Sequence, residues 1–546
     1  MTTRYNKTNL LLFVLLMSVF VIHIGGHVND FYVPESDFFD FRDKAITLRA
    51  LEWPEHFKRP PLYAICLAAI STALSGQHRE LYAAEIIGLA AALAGLLLFY
   101  KIAQHFFCAG AIFISWLWAF HPSTIRMAIK PKSEILVTVL ILWAFYLFLT
   151  EKKSAYILGF LASMVRYEGA LIIAAIGLAD FCMRRKKIKT ILYSILAGLP
   201  IVFWTLLQSS GGDSESYFSY FAEYKPNFAF VKSFWDGYIG FTPSHLKLWI
   251  LLAGFLLMIG FNRGWRTHRR EASGLFIFFL GFIFMHIIWP MPNFDYHIII
   301  VWNALLWTGL GIMAVLSFMK TKIRAEWLTR PAVGLFSIFL LAGTLFFLIF
   351  IPAPFPQYKV DWRMMLVFFT PVVAALLVVH VPLKKKLAPV SVYSAFLLSI
   401  LYFMISETNA LFYSIRYSKA EFRAVGEWFA REGKATDIMA VEQPIIVGYY
   451  ARVEESNFIR LTELKNTTPD SLWSWLRDNG VTYIAWMSAN RVFETDNAWY
   501  QWKMDNRGWK NISFLGDGKS MSGFILVKEI SIGPRRAFIY KIKGKQ

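Results

Sequence analysis

The sequence predicts a polytopic α-helical membrane protein carrying a small C-terminal α/β domain, and three observations predict it. Of the 546 residues, 56% are hydrophobic and only 17% are charged, where a soluble chain holds about 25% charged residues. The apolar residues gather into long runs separated by short gaps, with a mean hydropathy of +0.46. Residues 410–546 contain no run long enough to span a bilayer and alternate short helical and strand-like stretches. The composition excludes disordered, collagen-like and disulfide-stapled chains. Cys66, Cys108 and Cys182 lie in or beside apolar runs with no CxxC spacing, so no disulfide framework or thiolate metal site is implied.

The formal net charge is +19, and the basic surplus has a location. Arg184 to Lys187, Arg263 to Arg270, Lys320 to Arg330 and Lys384 to Lys386 each occupy a short gap between apolar runs. That is the positive-inside pattern, so the surplus sets topology, and nucleic acid is not a partner.

The chain opens with Arg4 and Lys7 before the apolar run 10–24, which has no small-residue cleavage site after it. It reads as an uncleaved signal anchor with a cytoplasmic N-terminus. The outer loop 27–60 follows, where Asp30, Glu35, Asp37, Asp40 and Asp43 alternate with aromatic residues, as in a helix lying at a membrane surface. Further runs occupy 61–75, 81–100, 107–120, 134–150, 154–165, 167–183, 190–208, 246–261, 273–291, 297–319, 333–351, 364–380 and 390–406. The run 61–75 reaches only about 22 Å as a helix, short of a ~30 Å hydrocarbon core. Setting it aside as a surface or half-buried helix leaves about 13 transmembrane helices at roughly 20 residues each. Every basic gap then faces the cytoplasm and the tail faces outside. The organisation is a transmembrane domain at 1–409, including a long aromatic outer loop at 209–245, and an extracytoplasmic α/β domain at 410–546. In the tail, Ala420 to Glu432 and Pro469 to Asn479 predict helices, the second capped by Gly480. Asp437 to Val441, Val481 to Met487, Phe524 to Val527 and Ala537 to Ile542 predict strands.

The first outer loop carries the strongest chemistry. Acidic side chains at the end of the first span suit a general base or a cation site, though each also reads as a solvated surface acid. Lys58-Arg59-Pro60-Pro61-Leu62-Tyr63 places two cations before two stiffening prolines, at the depth of lipid phosphates. Arg166, near span depth with Glu168 two residues on, is costly there and is therefore functional or paired.

These segments together resemble the GT-C superfamily of integral-membrane glycosyltransferases, such as protein O-mannosyltransferases and the aminoarabinose transferase of lipid A. The resemblance rests on Asp37-Phe-Phe-Asp-Phe-Arg-Asp-Lys-Ala45, on Arg59-Pro60-Pro61-Leu62-Tyr63 and on Lys132-Ser133-Glu134 opening a span. It also rests on Val165-Arg166-Tyr167-Glu168-Gly169, on Asp295-Tyr296-His297 and on the tail from Tyr417-Ser418-Lys419-Ala420. The family's common Asp-Glu pair is Asp37-Phe38 here, which leaves both Asp37 and Asp40 open as the functional carboxylate.

The resemblance implies a hexosyl- or pentosyltransferase. It would move a sugar from a polyprenyl-phosphate donor to a lipid, glycan or protein acceptor on the outer face, with inversion. Asp37 is then the expected base and Asp40 its reserve, while Glu134 orients the acceptor. No cofactor is required, unless Asp37 and Glu134 hold a divalent cation. Lys58, Arg59, Arg166, His297 and Arg363 are the expected ligands of the donor phosphate. The aromatic loop 209–245 is the expected grip on donor or acceptor. The protein would sit in the cell or inner membrane, among membrane lipid. The alternative is a membrane transporter or a scaffold for envelope glycan assembly.

Overall fold

The computed structural model describes residues 7–27, 33–34, 36–54, 59–107, 110–183, 187–210, 228, 230–231, 234, 247–288, 294–322, 417, 419–453, 455–461, 468–488, 508–533 and 535–543. The described residues belong to two compact units. One comprises Met1–Ile24, Pro54–Cys66 and Tyr82–Ala410, the other Gly25–Trp53, Leu67–Leu81 and Leu411–Gln546.

The first unit is helical. Its elements include most of α1 (Lys7–His27) and α4 (Arg79–Phe107), then α5 (Ala111–Ala119), α6 (Pro122–Ile129), α7 (Glu134–Leu149), α8 (Ser154–Val165) and α9 (Ala170–Met183). They continue with α10 (Lys187–Ser210), α11 (Lys247–Thr267), α12 (Arg269–Ile288) and α13 (His297–Lys322). Four stretches among the described residues are long and apolar enough to cross a membrane: Arg79–Phe107, Lys187–Leu206, Arg269–Ile288 and His297–Val315. α6 and α7 are together apolar enough to cross as well, but they are bent by 117° at the break between them. The break has a local cause. His121 and Pro122 start α6, the His121 Nδ1 accepting the Ser123 N–H at 3.2 Å and Pro122 standing at N1. Lys130 leaves helical geometry (φ −81°, ψ 128°) ahead of Pro131, which disfavours a helical residue before it.

Three of the predicted runs appear as short helices. The run 107–120 holds only the nine residues of α5, and 154–165 is the twelve-residue α8. The run 61–75, set aside as too short, contains the eleven-residue α3 (Leu62–Thr72), about 16 Å long. The expected spans at 333–351, 364–380 and 390–406 lie outside the described residues.

Within this unit α13 is the central helix: 72% of its apolar stretch is buried, against 17% for α10. Trp302 on α13 packs between Phe145 of α7 and Phe278 of α12, with ring centroids 5.6 and 5.8 Å away. Asn303 donates to the Leu275 carbonyl at 2.9 Å, a polar link between helices of the kind membrane bundles use. The α11–α13 pair is closer still: a Cβ on Gly260 would stand 1.7 Å from the Trp307 carbonyl oxygen. Only glycine admits that approach.

The second unit holds α2 (Ser36–Arg49), α14 (Ala420–Glu432), α15 (Pro444–Ala451) and α16 (Pro469–Asp478). Its five strands are β1 (Met439–Val441), β2 (Phe458–Arg460), β3 (Tyr483–Met487), β4 (Phe524–Ile532) and β5 (Arg535–Ile542), in the order β2-β1-β3-β5-β4. β1 pairs parallel with β2 and β3, while β5 pairs antiparallel with β3 and β4. The predicted helices and strands of the tail all form; α15, β2 and a 3-10 segment at Gly508–Asp517 are additions. α16 ends as expected, Gly480 taking φ +68° while the Val481 N–H reaches the Leu476 carbonyl at 2.8 Å. Leu472, Leu476, Ile484, Trp486, Phe538 and Tyr540 form the core beside the sheet. The expected surface helix is α2, and its Phe38, Phe39 and Phe41 are buried. Phe39 stands edge-on to Tyr449 of α15, with centroids 5.3 Å apart.

Candidate functional site

The break between α6 and α7 concentrates charge inside the helical unit. Arg126, one turn before the end of α6, lies four residues ahead of Lys130, so both point to one side. Lys130 and Lys132 Nζ lie 2.6 and 2.5 Å from Asp295 Oδ2, and Arg126 Nη2 lies 3.1 Å from Asp295 Oδ1. Asp295 belongs to a 3-10 turn, Phe294–Tyr296, that leads directly into α13. Lys130, Lys132 and Asp295 are each under 5% exposed. Three cations thus converge on the one carboxylate of Asp295. Burial opposes ionisation of Asp295, but Lys132, Arg126 and Lys130 outweigh it and hold the carboxyl well below the usual range.

A second group stands on neighbouring residues of the same segments. Arg166 follows α8 in extended geometry (φ −153°, ψ 147°), and a 3-10 turn, Tyr167–Gly169, returns the chain into α9. The turn is tight enough to need its glycine, since a Cβ on Gly169 would stand 2.3 Å from the Ala162 carbonyl oxygen. The Arg166 guanidinium donates to Glu168 Oε1 at 2.9 Å and Oε2 at 3.3 Å, to Glu134 Oε1 at 3.1 Å and to Ser133 Oγ at 3.2 Å. The Tyr296 ring covers it, with the centroid 5.0 Å from the guanidinium carbon. Burial disfavours the Arg166 charge, yet Glu168 and Glu134 outweigh it and raise its pKa above the ordinary arginine value.

His297, the first residue of α13, is fully buried. Phe230 and Phe234 stand edge-on to it at 5.5 and 5.8 Å, and Phe230 also stacks on His286 at 4.2 Å. Two residues of the aromatic loop 209–245 therefore line this end of the bundle.

The structure thus brings together Glu134 and Arg166, with His297 two residues beyond Asp295. Asp37 and Asp40 belong to the other unit: Asp37 stands in the first turn of α2, and Asp40 is paired with Lys44 one turn on. Arg59 lies in the chain leading into α3. Lys58 and Arg363 lie outside the described residues. Among the described residues, no three His, Cys, Asp or Glu side chains come together to hold a metal ion. Sequence reasoning missed Arg126 and Lys130 and the role of Asp295. The signal was present in His121-Pro122, a helix start inside what reads as a loop, which puts Arg126 and Lys130 one turn apart.

No family model matches the chain, and no curated protein matches its sequence. Solved structures do match. ArnT from Cupriavidus metallidurans superposes in its apo state with a TM-score of 0.58 at 11% identity, over 96% of this chain and 97% of that one. The same enzyme bound to undecaprenyl phosphate superposes with a TM-score of 0.58 at 10% identity, over the same shares. The archaeal oligosaccharyltransferase AglB from Archaeoglobus fulgidus, in complex with an inhibitory peptide and a dolichol-phosphate, gives 0.50 at 11% identity. That match covers 96% of this chain and 80% of AglB. The chain shares the fold of these structures. Within this fold, the charged break between α6 and α7 and the start of α13 form one end of the helical bundle. The opposite end of α7, α9 and α12 carries the Arg270–Asp180 pair, at 2.8 Å.

Proposed function

We propose that this protein transfers a sugar from a polyprenyl-phosphate donor to an acceptor on the extracytoplasmic face. The observation that carries the reading is the convergence of Arg126, Lys130 and Lys132 on Asp295 at the break between α6 and α7. A departing lipid phosphate gathers negative charge on its oxygens, and fixed cations in a water-poor site stabilise that charge as it develops. The fold is shared with ArnT, which has been seen with undecaprenyl phosphate bound.

The chemistry is a single displacement with inversion at the anomeric carbon. One carboxylate takes the acceptor proton, and Asp37 is assigned that role with Asp40 in reserve. Lys58, Arg59, His297 and Arg363 are assigned to the phosphate alongside the buried cations. A divalent cation held by Asp37 or Glu134 would reveal itself as transfer lost on chelation and restored by added metal.

The test compares lipid-linked sugars in cells with and without the protein. A sugar-bearing polyprenyl phosphate should accumulate in its absence while an envelope component loses that sugar. Identical profiles in the two strains would overturn the reading.

A further inference from the structure

Arg166 stands among the expected phosphate ligands, yet four of its N–H donors are engaged by side chains of the protein. A guanidinium has five N–H donors. Nε and Nη2 form a fork on Glu168, and Nη1 divides its two between Glu134 Oε1 and Ser133 Oγ. The Tyr296 ring lies over the guanidinium face. Two carboxylates face this one cation, so the group as a whole repels a phosphate rather than attracting it. The cations that cluster lie instead around Asp295, where Arg126, Lys130 and Lys132 meet.

What the arrangement orients is Glu134. Its Oε1 is held by Arg166, while its Oε2, on a side chain 3% exposed, accepts no hydrogen bond from the described residues. A carboxylate oxygen buried in that way is costly unless a donor meets it. The position is rigid: Glu134 opens α7 at the break, and its neighbour Ser133 is tied to the same guanidinium.

We propose that Arg166 is a positioning residue: it turns Glu134 so that Oε2 receives a hydroxyl or amine hydrogen from the substrate. This rests on the sugar-transfer reading above. The hydrogen belongs either to the sugar of the donor or to the acceptor, and binding measurements separate the two.

The experiment uses the full-length protein in nanodiscs with two probes, undecaprenyl phosphate and undecaprenyl phosphate bearing a hexose or an aminoarabinose. Arg166→Ala should bind bare undecaprenyl phosphate within about twofold of wild type. Its transfer should fall about 100-fold, the scale of loss when a reacting group is misplaced by an ångström. Arg166→Lys should recover part of that loss, because it keeps the charge but not the fork. The Arg166→Ala, Glu134→Ala double variant should transfer no worse than either single variant, as expected of two residues acting as a unit. Where the sugar supplies the hydrogen, Glu134→Gln and Arg166→Lys bind the sugar-bearing lipid more weakly than wild type and the bare lipid equally. Where the acceptor supplies it, both lipids bind normally and only transfer falls. Tenfold weaker binding of bare undecaprenyl phosphate by Arg166→Lys, or losses that multiply in the double variant, would overturn the positioning role. A wild-type protein that binds the lipid but transfers from neither sugar-bearing probe would instead overturn the sugar-transfer reading.

Discussion

Lys132 and Asp295 stand 163 residues apart in sequence and meet at 2.5 Å, both almost wholly buried. Their contact ties the break in the bent span to the entry of α13. Asp295 is the carboxylate against which Lys130, Lys132 and Arg126 are all set, so removing its charge weakens the pairing of three cations at once. Asp295→Asn should lower stability by about 3–5 kcal/mol, the cost of breaking a buried pair from one side. Thermal unfolding in detergent reads this, and an unchanged midpoint would refute it. Because the folded carboxyl titrates well below a free one, its stabilisation is complete above about pH 3.9 and is lost as the pH falls through the folded value.

Arg270 is bound more tightly than a topology signal requires. It donates to Asp180 at 2.8 Å and to the Phe148 carbonyl at 3.0 Å, and it lies 4.0 Å from the Phe148 ring centroid. Arg270→Ala should destabilise the helical unit by about 3 kcal/mol, and Arg270→Lys should restore little, since lysine lacks the planar fork. A double-mutant cycle with Asp180→Asn measures the coupling; a coupling near zero would leave Arg270 as a topology anchor only.

Asp37 and Asp40 share α2, where Asp40 is paired with Lys44. Asp37→Asn should cut transfer about 10²–10⁴-fold, the usual contribution of a general base. Full activity in that variant would refute the assignment, and loss confined to Asp40→Asn would move the role there.

His78 is half-buried beside Tyr449 and Tyr450, at 4.8 and 5.9 Å between centroids. Burial depresses its pKa, helped by Arg452 and Arg423 against the weaker pull of Glu80 and Glu427. A depressed histidine stabilises the folded state fully above about pH 6.5 and loses that stabilisation as the pH falls through the folded value. Replacing it in His78→Gln should flatten the pH dependence of the unfolding midpoint below about pH 6.5. An unaltered slope would show that other groups set the acid sensitivity.

A reporter fused after Gln546 should read extracytoplasmic, and one at the N-terminus cytoplasmic. The expectation rests on the parity of about thirteen spans and on the basic gaps. A cytoplasmic signal from the C-terminal fusion would require one span more or fewer.

Local chemistry settled much of this protein without any structure. Long apolar runs have no stable place in water, so the membrane class followed from composition. The tail's helix and strand periods, and the αL position at Gly480, are properties of adjacent residues, and they were readable as such. Glu134 and Arg166 could be singled out because charge at span depth is costly wherever it occurs. What the sequence could not decide was which charge neutralises which. Arg166 lies two residues from Glu168 and 32 from Glu134, yet it binds both. Asp295 draws in three cations from the far side of the chain, because a buried carboxylate must be paired by whatever the fold delivers. The 117° bend that gathers them depends on Pro131 and on α6 packing back into the bundle. Such long-range electrostatic pairing exists only once helices distant in sequence have been packed side by side.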